Sequence, residues 1–177
     1  MTDILDHPIQ ALTEYVSHPS VSADSNFSKG VAGAREFATA RLEELGFSVE
    51  TIETPIHPIL LGTRGDPAWP RLVVYGHYDV QPVDPVDLWD RDPFDPAIEA
   101  TPKGKVIRGR GASDDKGQLM TFIEACRAWK LVHGDFPCRI TFFFEGEEES
   151  GSPSLVPFMQ EHKEKLISDV VLICDTG

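Results

Sequence analysis

The chain has 177 residues, 41% of them hydrophobic and 25% charged, which fits one globular domain and excludes wholesale disorder. It carries 29 acidic and 16 basic side chains, a net charge of −13, and no run of basic residues. A nucleic-acid partner is therefore not expected, because phosphate binding needs a positive surface. The acidic excess either serves solubility or gathers carboxylates around bound cations.

The start of the sequence lacks the pattern of an export signal, since no basic segment is followed by an apolar one. No later stretch reaches the length of a membrane span. Three cysteines, Cys126, Cys138 and Cys174, lie far apart and form no C-x-x-C pair. We therefore expect a cytoplasmic protein without a membrane partner, whose cysteines are reduced and buried.

The first half of the chain alternates helical and extended patterns. Apolar residues at helical spacing predict a helix over residues 4–16 and a second over residues 29–45, which Gly46 ends. Alternation predicts a strand over residues 47–53, and the apolar run 71–76 predicts a strand buried on both faces. The second helix is expected to turn one set of side chains inward, with Phe37 at the edge of that face: Val31, Ala34, Ala38, Leu42 and Leu45.

The middle of the chain is predicted to be a long surface loop. Residues 82–102 are rich in proline and aspartate, and Trp89 and Phe94 are expected to pin this loop down. A turn and a short extended piece then lead to a tight loop at residues 109–117. Helical spacing resumes directly behind that loop and is marked by Leu119, Phe122, Ile123, Cys126 and Trp129.

The last part of the chain adds two strands and a helix. Residues 139–144 and 169–174 are short apolar runs of the kind that form buried strands. Between them, Ser152 as cap and Pro153 in the first turn predict a helix that reaches about residue 165. Strands that alternate with helices predict an α/β fold, with a largely parallel sheet and helices on both faces.

Polar clusters follow or lie between these elements. Three of them, His77 with Asp79, Glu148 with Glu149, and Asp175, come directly after apolar strands, and the Asp114–Asp115 pair lies in the tight loop. Taken alone, each cluster is typical of a solvent-exposed turn. Because the carboxyl ends of parallel strands line one crevice, the strand-end clusters are expected to converge there.

The clustered side chains match the needs of a metal site. One imidazole and several carboxylates suit zinc, manganese or cobalt better than an iron–sulfur centre. Of Glu148 and Glu149, one can bind a metal while the other remains free as a general base. Asp79 is placed to bond the second ring nitrogen of His77 and so fix its tautomer.

Other motifs fail. The segment 109–114 has Asp114 where a dinucleotide fingerprint needs its third glycine, and neither a P-loop nor a G-x-S-x-G motif occurs. The remaining histidines have no carboxylates at ligand spacing and are predicted to be structural or solvent-facing: His7, His18, His57, His133 and His162.

Three segments carry a resemblance to a known family: residues 76–82 (GHYDVQP), 109–117 (GRGASDDKG) and 145–152 (EGEEESGS). They resemble the co-catalytic metallopeptidases of the M20 family, and within it the carnosinase-like dipeptidase branch. The resemblance covers nearly the whole chain. It implies a three-layer αβα sandwich of the zinc-exopeptidase type with a mostly parallel mixed sheet, incomplete in this chain.

The resemblance also implies roles for individual residues. His77 would bind one metal with Asp175, Asp114 would bridge two, and Glu149 would bind the other. Glu148 would be the general base and Asp79 would orient His77, with a cis peptide between Asp114 and Asp115. Two divalent ions, zinc first and manganese or cobalt as alternatives, would activate water to hydrolyse a dipeptide or small peptide.

Family members are much longer than this chain. Residues 1–177 would thus be the N-terminal portion of the catalytic domain, without the lid domain, through which the parent would form a homodimer, and without the C-terminal part. That missing part would supply the second metal's histidine and the groups that bind the substrate carboxylate. Alone, the fragment is expected to bind metal poorly, to have an open sheet edge and to be inactive.

Two alternatives to dipeptide hydrolysis remain open. The same site could remove the acyl group from N-acyl amino acids, or the scaffold could be a non-catalytic binding module. Glu148 discriminates against the second alternative, because a module that only binds has no need of a free base beside a metal ligand.

Overall fold

The computed structural model describes residues 6–175, so residues 4 and 5 of the predicted first helix lie outside the described part. Its helices are α1 (Asp6–Val16), α2 (Ser28–Glu44), α3 (Lys116–His133) and α4 (Leu155–Glu161). Its strands are β1 (Ser48–Ile52), β2 (Ile59–Arg64), β3 (Arg71–His77), β4 (Ala97–Thr101), β5 (Gly104–Arg108), β6 (Arg139–Glu145) and β7 (Val170–Ile173). Within residues 6–175, no helix has the length and hydropathy to cross a membrane.

Helix α2 shows how the sequence builds a core-facing surface. Phe37, predicted at the edge of the buried face, is itself buried and stacks on Tyr15 of α1 with the ring centroids 4.8 Å apart. The chain turns at Gly46, whose φ of +81° lies in the region that favours glycine. The helix and the residue behind it bury the side chains that the spacing predicts: Val31, Ala34, Ala38, Leu42 and Leu45.

Five strands form the central sheet in the order β1-β2-β6-β3-β7 among the described residues. Strands β6, β3 and β7 are parallel neighbours, whereas β2 is antiparallel to both β1 and β6. Four of these five strands therefore point the same way, and β2 is the reversed one. The predicted α/β fold with a mixed, mostly parallel sheet is confirmed.

The sheet has packed side chains on both faces, as the αβα prediction requires. One face packs against α1, α2 and α3 and includes Phe142 and Phe144 of β6. The other face includes Phe143 and packs against Phe158 of α4, with the two rings 5.5 Å apart. Alternate residues of one strand thus serve two cores, as the pleat of a strand dictates.

Two strands, β2 and β4, were not predicted. Strand β2 is missed because its apolar part is short and lies between Pro58 and Gly62. Strand β4 pairs with β5 in a hairpin inside what was predicted to be loop, because its half-exposed sequence has no apolar run. The anchors of this segment are confirmed: Trp89 Nε1 donates to the Val83 carbonyl at 2.9 Å, and Phe94 packs against Phe27.

The predicted helix over residues 152–165 is wrong at both ends. Helix α4 covers Leu155–Glu161 only, and Lys163–Lys165 form a separate 3-10 turn. Ser152 does not cap the helix, because its hydroxyl donates to Glu145 Oε1 at 3.0 Å and its φ is +49°. Ser154 stands at the N-cap instead, without a side-chain capping bond, since its hydroxyl donates to Glu147.

The three cysteines are free, as expected, but they are only partly buried rather than buried. Cys126 and Cys138 lie at the margin of the larger core, where they pack against buried side chains.

Candidate metal centre

The predicted site residues meet at the carboxyl end of the parallel strands. His77 is the last residue of β3, the turn with Glu148 and Glu149 follows β6, and Asp175 follows β7. The loop before α3 brings Asp114 to the same place, with its Oδ1 3.1 Å from His77 Nε2. The geometry expected from the parallel topology is therefore present.

The two ring nitrogens of the fully buried His77 have different surroundings. Nδ1 lies 3.1 Å from the Asp79 carbonyl oxygen and 3.3 Å from Asp79 Oδ1. Both neighbours accept hydrogen bonds, so Nδ1 carries a proton. Nε2 faces the carboxylates of Asp114, Glu148 and Asp175, with the last two at 3.9 Å, and can offer its lone pair to a cation there.

Two groups of possible ligand atoms share His77. One group consists of His77, Asp114 and Asp175, and the other of His77, Glu148 and Glu149, with the atoms of each group within 4.8 Å of one another. The first group contains the residues predicted for one metal. The second group places the predicted ligand Glu149 beside the predicted base Glu148.

Asp79 is a fully buried carboxylate that connects several parts of the site. Its oxygens accept hydrogen bonds from the backbone N–H groups of Glu148 at 3.3 Å and Glu149 at 3.1 Å. Asp79 Oδ2 also accepts from the Ser22 hydroxyl at 2.6 Å. One side chain therefore contacts the imidazole, the glutamate turn and the segment between α1 and α2.

The site concentrates negative charge. Burial raises the pKa of Glu148 and of Glu149, and the nearby carboxylates of Asp175 and Asp114 add to this effect. Burial alone would lower the pKa of His77, but the hydrogen bond to Asp79 and the surrounding carboxylates raise it to about 10. A bound cation would offset the repulsion between these carboxylates. One imidazole with several carboxylates is a donor set for a divalent ion. The residues present therefore fit a metal.

Two residues of the site were missed in the sequence. Asp115 is fully buried, and its Oδ2 accepts the backbone N–H of His77 at 3.0 Å. Burial raises the pKa of Asp115 to about 7. Gly76 permits this approach, because a β-carbon there would lie 2.4 Å from Asp115 Oδ2. The peptide bond between Asp114 and Asp115 is cis, as the family resemblance implies.

Lys116 is the second missed residue. It is fully buried, and its Nζ donates to the carbonyl oxygens of His18 at 2.7 Å and Tyr15 at 3.2 Å. Burial lowers the pKa of Lys116 to about 7. The lysine ties the start of α3, directly behind Asp114 and Asp115, to the end of α1. A lysine in a polar loop carries no sequence signal of such burial.

Of the four glutamates in residues 145–149, two are buried and two are partly exposed. Glu147 is buried and accepts from the Ser154 hydroxyl at 3.0 Å and the His57 backbone N–H at 2.8 Å. Glu145 is buried beneath the Tyr75 and Ser152 hydroxyls. Glu148 and Glu149 are partly exposed and face the site. The four look alike in sequence, and their hydrogen bonds separate them.

Histidines predicted to lie outside the site make other contacts. His7 lies 3.2 Å from Glu124, a pair that sequence spacing does not show. His133 packs against Trp129, and His162 packs against Phe158.

Comparison with known proteins places this chain among peptidases. The family model of Peptidase family M20/M25/M40 matches residues 73–177. The Cys-Gly metallodipeptidase dug1 of Schizosaccharomyces pombe is 36% identical over 97% of this chain and 38% of its own length.

Solved structures agree. The structure of human carnosine dipeptidase 1 has a TM-score of 0.86 at 31% identity, over 97% of this chain and 38% of that one. An M20 family metallo-carboxypeptidase from Sulfolobus solfataricus has a TM-score of 0.79 at 33% identity, with the same coverage. This chain spans less than two-fifths of the length of these relatives, and it belongs to the peptidase family M20/M25/M40.

Proposed function

We propose that the natural-length protein that contains this chain is a metal-dependent dipeptidase. The observation that carries the proposal is the environment of His77 Nε2, which has the carboxylates of Asp114, Glu148 and Asp175 within 3.9 Å. The relatives support it, since the yeast protein and the human structure are both named as dipeptidases.

The proposed metal ligands are His77, Asp114, Glu149 and Asp175. His77 and Asp175 would hold one divalent ion, Glu149 the other, and Asp114 both, with further ligands from the rest of the longer protein. Nitrogen and oxygen donors favour zinc, with manganese or cobalt as alternatives. When bound, such ions polarise a scissile carbonyl and lower the pKa of water.

Glu148 is the proposed general base. Its carboxylate borders the ligand groups, is 35% exposed, and can take a proton from the attacking water and deliver it to the leaving amine. Burial raises its pKa, which makes it a better proton acceptor. The backbone N–H of Glu148 is held by Asp79, which we propose as the residue that orients both His77 and the glutamate turn.

We further propose the setting of this activity. Residues 1–177 would form the N-terminal portion of the catalytic domain of a cytoplasmic protein that dimerises through a lid domain beyond residue 177. The coverage of the relatives supports the first part, and the three free cysteines are compatible with a reducing compartment.

The activity is tested with a substrate panel on the natural-length protein. Cys-Gly, β-Ala-His and an N-acetyl amino acid would be incubated with the enzyme before and after removal of metal by a chelator. The proposal predicts cleavage of at least one dipeptide that stops on chelation and returns with zinc, manganese or cobalt. Cleavage of the acylated amino acid alone would favour the deacylase alternative, and cleavage that survives chelation would overturn the metal-dependent mechanism.

A further inference from the structure

A second polar cavity lies at the opposite end of the sheet from the metal centre. The metal centre is at the carboxyl ends of β3 and β6, whereas this cavity lies where both strands begin, at Arg71 and Arg139. Its volume is about 650 Å³, within the range of small-molecule sites. We call it the amino-end cavity.

Two arginines stand side by side in this cavity. Arg71 and Arg139 are direct partners in the parallel pairing of β3 and β6, so their side chains leave the same face of the sheet. The Arg71 guanidinium donates to the Pro67 carbonyl at 3.2 Å, and that of Arg139 donates to the Gly65 carbonyl at 3.4 Å. The loop between β2 and β3 thus orients both guanidinium groups through backbone atoms.

Neither guanidinium has an acidic partner. Within residues 6–175, no carboxylate lies within the 4.0 Å of an ion pair from Arg71 or Arg139. Asp169 is the nearby acid, and it binds the backbone N–H of Arg71 rather than the guanidinium. Two adjacent cations therefore keep N–H donors free, although the chain has 29 acidic residues to supply partners.

The floor of the cavity is polar where the same face is apolar further along. Ser48, Thr63 and Thr141 are register partners on β1, β2 and β6, on the face that also carries the two arginines. Leu61, two residues further toward the metal centre, is an apolar part of the same lining, and its register partner Phe143 belongs to the smaller core. Hydroxyl groups at these positions favour a polar ligand over an apolar covering segment.

The charge of the lining is opposite to that of the chain. The cavity is lined by the cations Arg64, Arg71, Arg139 and Lys165 and by the carboxylates of Glu50 and Glu164. The Lys165–Glu50 ion pair connects the 3-10 turn behind α4 to β1 and closes one side. Arg64 is paired with Asp135 and Lys165 with Glu50, so among the described residues the lining cations without a carboxylate partner are Arg71 and Arg139.

We propose that the amino-end cavity binds a small molecule that bears a phosphate group. Two adjacent guanidinium groups present the planar, paired donors that bind phosphate oxygens, and serine and threonine hydroxyls add neutral donors. The cavity is large enough for a phosphorylated metabolite, and it lies at the other end of β3 and β6 from the metal centre. Binding there is independent of the peptidase proposal.

The test is calorimetric titration of the natural-length protein with inorganic phosphate, at constant ionic strength in a zwitterionic buffer. We expect saturable binding that Arg139→Met and Arg71→Met each weaken about tenfold or more, because each removes charge-assisted hydrogen bonds. Arg139→Lys, which keeps the charge without the fork, should give an intermediate loss. The matched control is Arg108→Met, because Arg108 lies on β5 and is paired with Glu99.

Two further measurements, the thermal unfolding midpoint and dipeptide turnover, distinguish the possible outcomes. The thermal unfolding midpoint identifies a variant that does not fold, in which case the other arginine variant and Arg139→Lys carry the test. Dipeptide turnover should be unchanged in the arginine variants, which separates this cavity from the metal centre. The proposal would be overturned if the native protein showed no saturable binding. It would also be overturned if the native and Arg139→Met proteins bound phosphate equally, which is the result expected for phosphate held at the metal centre.

Discussion

At the scale of single residues, the metal centre depends on how the Asp79 carboxylate is held. Four donors reach it: the His77 ring, two backbone N–H groups of the glutamate turn and the Ser22 hydroxyl. The contact between His77 and Asp79 could be predicted from their spacing. Ser22 could not, because it lies 57 positions away in the sequence and reaches Asp79 only through the fold.

Ser22→Ala should weaken metal retention. The substitution removes a 2.6 Å hydrogen bond to a charged, buried acceptor, and the loss of a group that supports metal ligands typically costs about 10–100-fold in affinity. The measurement is competition for zinc with a chromophoric chelator. Ser150→Ala is the matched control, because Ser150 contacts the Ser22 hydroxyl at 3.2 Å but not Asp79. Equal zinc affinity in Ser22→Ala and native proteins would contradict the role of this bond.

Metal binding should release a proton from His77. The pKa of His77 is raised from its ordinary value to about 10 when metal is absent, so the imidazole is protonated at neutral pH. A cation must displace that proton from Nε2, and metal affinity should therefore rise with pH up to about 10 and fall as pH is lowered. Calorimetry of zinc binding in two buffers with different ionisation enthalpies measures the release. The same heat in both buffers would show that no proton leaves.

At the scale of elements, the strands that end at the site were the best predicted. Strands β3 and β6 are largely apolar runs, and the polar residues that follow them are therefore visible in the sequence. Strands β2 and β4 were missed, because their side chains form no comparable run or lie half-exposed. The contact of Asp115 depends on how α3 packs on β3, and those of Lys116 depend on how α3 packs on α1, which local patterns do not encode.

Lys116→Met should destabilise the fold through the junction of α1 and α3. It leaves the Tyr15 and His18 carbonyl groups without the buried ammonium that now binds them. Each carbonyl keeps one backbone donor, the His18 N–H at 3.3 Å for Tyr15 and the Ser20 N–H at 2.8 Å for His18. Loss of hydrogen bonds from a charged donor costs about 1.5–3 kcal/mol, so the free energy of unfolding should drop by about that amount. Urea unfolding measures it, with Lys105→Met on the exposed β5 as a control that should change stability by less than about 0.5 kcal/mol. Equal stability of the two variants would rule out this role.

At the scale of the whole molecule, the sheet separates two polar sites at its two ends. Parallel pairing of β3 and β6 places the carboxylate-rich centre at one end and the arginine pair at the other. Strand β7 is an edge of the sheet among the described residues, and its four side chains are 39–65% exposed. This exposure agrees with a chain that covers 38% of the yeast relative.

Glu148 and the metal ligands are proposed to have different tasks, and one comparison of variants separates these tasks. Metal content and dipeptide turnover would be measured together for natural-length native, Glu148→Gln and Asp114→Ala proteins. The exposed Glu161 of α4 supplies the matched control Glu161→Gln.

We expect Glu148→Gln to keep its metal and to lose about 10²–10⁴-fold in kcat, because general-base catalysis contributes that much. Asp114→Ala should lose metal and turnover together, and Glu161→Gln should match the native protein. If Glu148→Gln turned over dipeptides as fast as the native protein, or if Asp114→Ala kept its full metal content, the assignment of the site would be contradicted.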